Sequence, residues 1–250
     1  MTDRQVFATL LAAAVTSLVA CGRDASDSSP LAAAGAGATS SPVPAQAPAR
    51  AAASAPAGSY STSFDLAENP ISEGGKWSNN GMNWTQVRTA DGIAFGSNGI
   101  TNTYDDSYAY LSGFSADQQG EATVYRSPTL IGKPHEVELL LRWADSPGNA
   151  RGYECLTNHL GAVQIVRWNG RFADFTVLGD GSVGRALVSG DVIKANVIGN
   201  VISVYVNGAL IVRVKDSVWR TGQPGIGFFR RTQGASPDLA FTNYMATSLH

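Results

Sequence analysis

The sequence predicts an all-β fold, an antiparallel β-sandwich or jelly roll, over residues 59–250. Residues 136–143 show partial alternation of apolar and polar side chains, and a period of two indicates a strand. Asn169-Gly170 and Asn207-Gly208 each stand between β-rich segments, and this dipeptide suits the positive φ angles of a type I′ hairpin turn. Gly199-Asn200 marks a third turn in the same region. Because no stretch of ten or more residues shows helical periodicity, the strand spacing favours two packed sheets.

The first 20 residues have the layout of a bacterial export signal. The apolar run from Val6 to Ala20 is shorter than the roughly 20 residues that a membrane-spanning helix needs, but it has the length of a signal-peptide core. It ends in Leu18-Val19-Ala20-Cys21, which resembles the bacterial lipobox. The resemblance implies a lipoprotein that is acylated, for example with palmitate, on Cys21. The alternative is an ordinary secretory signal with a chance cysteine.

Residues 21–58 form the expected tether between that lipid anchor and a folded domain. They consist almost entirely of Ala, Ser, Gly, Pro and Thr, and no aromatic residue occurs there. Such a segment buries too little apolar surface to offset the entropy of an ordered chain, so we expect a flexible spacer. Gly22 follows Cys21 where a retention signal for the inner membrane would have Asp. We therefore expect an exported protein, lipid-anchored to the outer membrane.

Residues 59–250 make up the expected folded domain, and all five tryptophans lie there. The formal net charge of the chain is −2 and no basic patch stands out, which argues against binding to nucleic acid through its phosphates. If Cys21 is acylated, Cys155 has no partner for a disulfide within the chain. We expect Cys155 to be a small buried strand residue rather than a catalytic thiol.

Two segments carry a resemblance to a known family. Residues 190–216, followed by "GQPGIGFF" at 222–229, resemble the second half of a concanavalin A-like lectin/glucanase domain, and "NPISEGGKWS" at 69–78 resembles its opening. The resemblance covers roughly residues 62–247. It implies a β-sandwich that binds carbohydrate or another component of the cell envelope. The same superfamily includes lectins, laminin G-like modules, glucanases, polysaccharide lyases and adhesion modules, so the fold alone does not select a function.

The acidic residues argue against glucanase chemistry but leave an enzyme as an alternative. Glucanases of this superfamily place Glu, Asp and Glu on one strand face, and paired carboxylates supply the acid and the nucleophile. The nearest match is Glu136-Val137-Glu138, and the third acid is missing. Residues 138–157 also resemble the middle of 3-keto-disaccharide hydrolase-like domains, through Gly152-Tyr153-Glu154. Glu138 and Glu154 are therefore the candidate catalytic residues if the domain cleaves glycans.

A set of polar and aromatic side chains is predicted to bind the ligand. If the polar faces of several strands coincide, they form a concave surface of mixed charge with aromatic rings, which suits a sugar. The alternative is a solvated ladder of ion pairs on an outer sheet face, which contributes little to stability. A module that docks to another envelope protein is a third interpretation. The candidate residues are Glu136, Glu138, Arg142, Tyr153, Glu154, Arg167, Lys194, Asn196 and Tyr205.

No cofactor is expected from the sequence, with calcium as the one ion left open. Asp105 and Asp106 place two carboxylates side by side, and carboxylate oxygens are the usual ligands of calcium. One short acidic pair is a weak signal, because a calcium site takes six or more oxygen ligands.

Overall fold

Fourteen strands and no helix occur in the part of the chain that the computed structural model describes, which is residues 58–79, 85–97, 106–130, 135–171, 173–230 and 237–249. The export signal, Cys21, nearly all of the tether and Asp105 lie outside these residues, so their predicted roles stay predictions. Within the described ranges there is accordingly no apolar helix of membrane-spanning length.

The strands follow one another along the chain with short connections. They are β1 (Ser59–Thr62), β2 (Thr85–Ala90), β3 (Ile93–Gly96), β4 (Asp106–Tyr110), β5 (Gln118–Arg126), β6 (His135–Ser146), β7 (Asn149–Asn158), β8 (Ala162–Arg171), β9 (Phe175–Ser182), β10 (Val192–Ile198), β11 (Val201–Val206), β12 (Ala209–Lys215), β13 (Gln223–Arg230) and β14 (Leu239–Ser248).

The strands form two sheets that are joined through β2. The first sheet has the order β12-β11-β10-β5-β14-β3, with β1 also paired to β14, and the second has the order β4-β13-β6-β7-β8-β9. Strand β2 pairs antiparallel with β3 and parallel with β4, whereas the other strand pairs are antiparallel. This arrangement confirms the predicted all-β, antiparallel sandwich of jelly-roll type.

The main core lies between the two sheets and follows the two-residue alternation of the strands. On β6 it takes Val137, Leu139 and Leu141, and on β10 it takes Ile193, Ala195 and Val197, as the alternation of β10 predicts. Cys155 is fully buried in the same core, and burial raises the pKa of its thiol far above the ordinary value, so it stays a protonated thiol. The prediction of a small buried strand residue agrees with this position.

A smaller apolar cluster covers the opposite face of the second sheet, which we call its outer face. The cluster consists of Tyr108, Leu140, Trp143, Ala150, Leu156, Val166 and Trp168. The second sheet is therefore apolar on both faces over part of its area. Long apolar runs such as "VELLLRW" in β6 follow from this, because a strand buried on both faces loses its alternation.

Two of the three predicted turns are confirmed and the third is wrong. Gly199-Asn200 joins β10 to β11, and Asn207-Gly208 joins β11 to β12 with φ angles of 51° and 80°. Asn169-Gly170 instead lies inside β8, where it pairs in register with Arg151 and Ala150 of β7. The chain reverses only after Arg171, and the backbone N–H of Asp174 donates to the Arg171 carbonyl. Pairing with β7 carries β8 through the Asn-Gly dipeptide and moves the turn beyond it.

Candidate functional site

The outer face of the second sheet brings acidic and aromatic side chains together in cross-strand rows. One row runs Tyr108–Gly227–Glu138–Leu156 across β4, β13, β6 and β7. The next row runs Tyr110–Gly225–Leu140–Glu154 across the same strands. Glu138 and Glu154 are thus diagonal neighbours on adjacent strands, a relation that places Cα atoms roughly 7–8 Å apart. The two candidate acids of the sequence analysis share one face.

Glu138 and Glu154 are both buried on this face. Glu138 has no exposed surface and Glu154 is 5% exposed. Burial raises the pKa of Glu138 well above its usual range, and the nearby charges of Glu154, Asp106 and Glu136 raise it further. Burial also raises the pKa of Glu154 to about 7, against the effect of a 2.6 Å hydrogen bond that Trp168 Nε1 donates to Glu154 Oε2. Burial and like charges thus favour the protonated form of Glu138, and Glu154 titrates near neutral pH.

Gly227 makes room for the Glu138 carboxyl group. A Cβ atom at position 227 would lie 2.2 Å from Glu138 Oε2, well inside contact distance. Gly227 stands between Tyr108 on β4 and Glu138 on β6, so the missing side chain leaves a shallow trough along β13. The Glu138 carboxyl group occupies that trough.

Aromatic rings line both sides of the acidic pair. On the β4 side the rings of Tyr108 and Tyr110 stack with centroids 6.4 Å apart, and Trp143 lies 5.5 Å from Tyr108. The two tyrosine hydroxyls donate to the two carboxylate oxygens of Asp145, at 2.5 and 2.6 Å.

On the β8 side of the acidic pair, Trp168 and Phe175 form a second aromatic pair with centroids 5.3 Å apart. Tyr110 and Phe175 are only partly buried, so each aromatic group presents one accessible ring. The face therefore has one accessible ring on each side of the acidic pair.

Arg142 does not share the face of Glu138, which corrects the predicted alternation of β6. A β-bulge between Leu141 and Ala144 breaks the register with β7, and Arg142 has a φ of 49°. The bulge turns Trp143 to the outer face, whereas unbroken alternation after Leu139 and Leu141 would place it with the core. The buried Arg142 guanidinium donates to the carbonyls of Ala116, Trp219 and Gly199 and to Asp117. Its role is to tie connecting segments to the sheet.

Tyr153 and Arg167 also lie apart from the acidic pair. Tyr153 belongs to the main core, and its hydroxyl donates to Asp216 Oδ1 at 2.7 Å. Arg167 Nη1 donates to the other oxygen of Asp216. Asp216 thus binds both candidates on the core side of β7 and β8, and these contacts fix the segment after β12.

Lys194, Asn196 and Tyr205 lie on the other side of the sandwich. They belong to β10 and β11 of the first sheet, on the face away from the core. Lys194 Nζ lies 4.7 Å from the centre of the Tyr205 ring. The predicted single concave surface is therefore corrected: its residues divide between opposite outer faces and the core. The predicted solvated ladder is also corrected, because Glu138 and Arg142 are buried.

The structure adds residues that the sequence analysis did not select. Asp106, Tyr108 and Tyr110 share the outer face, and their spacing of two in "DSYAY" is a strand signal that would have found them. Asp145 and Trp143 reach the site only because of the bulge, which no local pattern announces. Among the described residues no group of three His, Cys, Asp or Glu side chains is placed to hold a metal ion. The calcium prediction stays untested at Asp105, which lies outside them.

Comparison with known proteins supports the fold. No family model and no curated protein matches the chain. A structure from work on endo-acting O-glycanases, which members of the human gut microbiota express to initiate mucin breakdown, has a TM-score of 0.50 and 11% identity, covering 76% of this chain and 99% of that one. Bacillus licheniformis beta-glucanase has a TM-score of 0.49 and 14% identity, covering 77% and 99%.

The carbohydrate-binding module CBM66 from Bacillus subtilis has a TM-score of 0.46 and 16% identity, covering 69% of this chain and 92% of that one. Identities this low establish the fold and nothing finer. The described part of this chain is therefore an all-β sandwich of jelly-roll type.

Proposed function

We propose that the domain binds carbohydrate on the outer face of the second sheet, without cleaving it. The observation that carries the proposal is that two partly exposed rings, Tyr110 and Phe175, share one sheet face with the half-buried Glu136 and the exposed Asp180. Pyranose rings pack on aromatic faces, and sugar hydroxyls donate to carboxylate oxygens.

Binding is tested with a panel of soluble and insoluble polysaccharides and with purified cell-envelope material. We expect Phe175→Ala to weaken binding to the retained glycan by about fivefold to tenfold, the loss expected for one stacking contact of about 1 kcal/mol. Tyr205→Ala is the matched control, since it removes a partly buried ring from the opposite outer face. Unchanged binding by Phe175→Ala together with a loss in Tyr205→Ala would move the site to the first sheet. Absence of binding across the panel would reject the proposal.

Glycan cleavage is the second candidate function, favoured by the neighbouring carboxyl groups of Glu138 and Glu154. A glycosidase needs one protonated and one ionised carboxyl group, about 5–10 Å apart according to the stereochemical outcome. The raised pKa of Glu138 suits an acid, and Glu154 would be the base or nucleophile. Incubation with the same panel should then release reducing ends or unsaturated products. Glu138→Gln should abolish that release while the thermal midpoint of unfolding stays within a few degrees.

Export and lipid anchoring complete the proposal. They are supported by Leu18-Val19-Ala20-Cys21 after an apolar run and by the composition of residues 22–58. We expect metabolic labelling with a palmitate analogue to mark the full-length protein in its bacterial membrane fraction, and Cys21→Ala to abolish both the label and the membrane association. Cys155→Ala is the control, because that thiol is buried in the core. Labelling that survives Cys21→Ala would overturn the anchor.

A further inference from the structure

The described strand residues of the outer face are strongly acidic. The cross-strand rows built on Asp106, Tyr108 and Tyr110 extend through β9 and contain no lysine or arginine among these residues. Arg167, the nearest basic side chain on β8, pairs with Asp216 on the core side. The carboxyl groups in these rows belong to Asp106, Glu136, Glu138, Glu154 and Asp180.

Glu138 is the exceptional member of this group. Both of its carboxyl oxygens are buried, and no described residue donates a hydrogen bond to either of them. A buried carboxyl group without a partner is costly, because it loses its hydration and gains nothing in return. The charged or titratable groups that face it are Glu154 from β7, Asp106 from β4 and Glu136 on its own strand, while β13 presents Gly227. Every one of these neighbours disfavours a negative charge on Glu138, and none supplies a cation.

We propose that the glycan bound on this face carries a free amine, and that its ammonium group pairs with the carboxyl groups of Glu138 and Glu154 after the side chains that cover them move aside. This inference rests on the proposed carbohydrate-binding function and names the substrate class for it. An ammonium group supplies the donors and the positive charge that the described residues lack at this point. Glycans with uronate or sulfate groups are disfavoured by the same carboxylates.

An amine suits this face better than a metal ion does. The described residues place no three metal-ligating side chains together, so a divalent ion would lack the oxygen cage that it requires. An amino sugar needs fewer charged partners, and its ring can pack on Tyr110 or Phe175. The binding step also has a simple proton balance: a neutral amine takes the proton held by the carboxyl pair, and an amine that is already an ammonium group displaces that proton to solvent.

The test uses three β-1,4-linked tetrasaccharides that differ at carbon 2 alone: glucosamine, N-acetylglucosamine and glucose oligomers. These are added to the polysaccharide panel, with the full chain as the protein and calorimetry in 0.15 M NaCl. At pH 7 we expect the amine oligomer to bind at least tenfold more tightly than the other two. The preference should shrink at pH 5, where Glu154 is protonated.

Substitutions separate the specific contact from general attraction between opposite charges. Glu138→Gln should reduce the amine preference to less than twofold, while Glu121→Gln, on the outer face of the first sheet, should leave it unchanged. Equal affinity for amine and hydroxyl oligomers would overturn the inference while the carbohydrate-binding function stands. An increase of the thermal midpoint with calcium that Glu138→Gln abolishes would assign the site to a metal instead. Failure of every glycan in the set and the panel would reject both proposals.

Discussion

At the scale of single residues, Glu138 and Glu154 show how the sheet makes a carboxyl group unusual. Each lies on the outer face next to apolar neighbours such as Leu140 and Leu156, which remove water without replacing its hydrogen bonds. Glu154 recovers one hydrogen bond from Trp168, whereas Glu138 receives none from the described residues. Burial therefore destabilises the ionised form of both carboxyl groups, and the destabilisation is larger for Glu138.

The raised pKa of Glu154 makes the stability of the domain depend on pH. The folded pKa of Glu154 is about 7, above its ordinary value of 4.5, so its contribution to stability is fully present below pH 4.5 and is lost as pH rises through 7. We expect Glu154 alone to lower the free energy of unfolding by roughly 1 kcal/mol per pH unit across this window, and the raised pKa of Glu138 adds to the fall. Urea unfolding of the wild type at several pH values measures this slope.

Glu154→Gln is the control for that slope, because an amide keeps an acceptor for Trp168 but does not titrate. The variant should show a flatter profile between pH 5 and 7. The Asp191 carboxyl group does not interfere, since the Arg185 guanidinium lowers its pKa to about 2 and its contribution is lost only in more acidic solution. A wild-type stability that rises over the window would contradict the burial of the pair.

At the scale of elements, strand β13 shapes the site because its outward-facing positions are glycines, which have no side chain. Gly225 and Gly227 face outward between the tyrosines of β4 and the residues of β6, and they leave the trough in which the Glu138 carboxyl group lies. A strand normally uses β-branched or aromatic residues, so glycine at this position marks a close approach of another group. The outer face of β13 therefore leaves space for the side chains of the neighbouring strands.

Gly227→Ala tests whether the Glu138 carboxyl group needs this space. The added methyl group would collide with Glu138 Oε2, and overpacking of this kind costs roughly 1–3 kcal/mol. The loss should be clearly smaller in a Glu138→Ala background, where the colliding group is gone. The free energies of unfolding of the wild type, both single variants and the double variant give the coupling between the two positions. Equal losses in both backgrounds would mean that Gly227 serves some other contact.

The elements also show how far the sequence predicts the structure. The turns predicted at Gly199-Asn200 and Asn207-Gly208 are confirmed, because residues with positive φ angles determine them locally. The turn predicted at Asn169-Gly170 is wrong, since pairing with β7 outweighs the turn preference of the dipeptide. Local patterns do not predict the bulge in β6 either, because it depends on the hydrogen bonds that Arg142 makes to distant segments of the chain. Side chains placed by such long-range contacts fall outside local patterns.

At the scale of the whole molecule, two short strands, β1 and β2, complete the sandwich. Strand β2 joins the two sheets, and the four residues of β1 pair with β14. Glu73 accepts hydrogen bonds from Tyr60 and Thr62 of β1 and from Trp77, at 2.8 Å in the last case. These contacts make β1 part of the folded domain.

Truncation measures the contribution of β1. A chain that starts at residue 55 should unfold cooperatively with the midpoint of the full-length protein. A chain that starts at residue 64 loses β1 and two donors to Glu73, and we expect its thermal midpoint to fall by several degrees, about 4 °C or less for each kcal/mol lost in a domain of this size. It also exposes an edge of β14, so concentration-dependent association is expected. Identical midpoints for the two chains would show that β1 is dispensable.

The meeting of Gly58 and Ser248 has a consequence for engineering. The Ser248 N–H donates to the Gly58 carbonyl at 2.7 Å, and the Gly58 N–H donates to the Ser248 hydroxyl, so the described domain begins and ends at one point of its surface. A few glycine and serine residues would suffice to close residues 58–249 into a ring. New ends could then be opened at Asn207-Gly208, and the permuted domain could be inserted into a loop of another protein without stretching either partner.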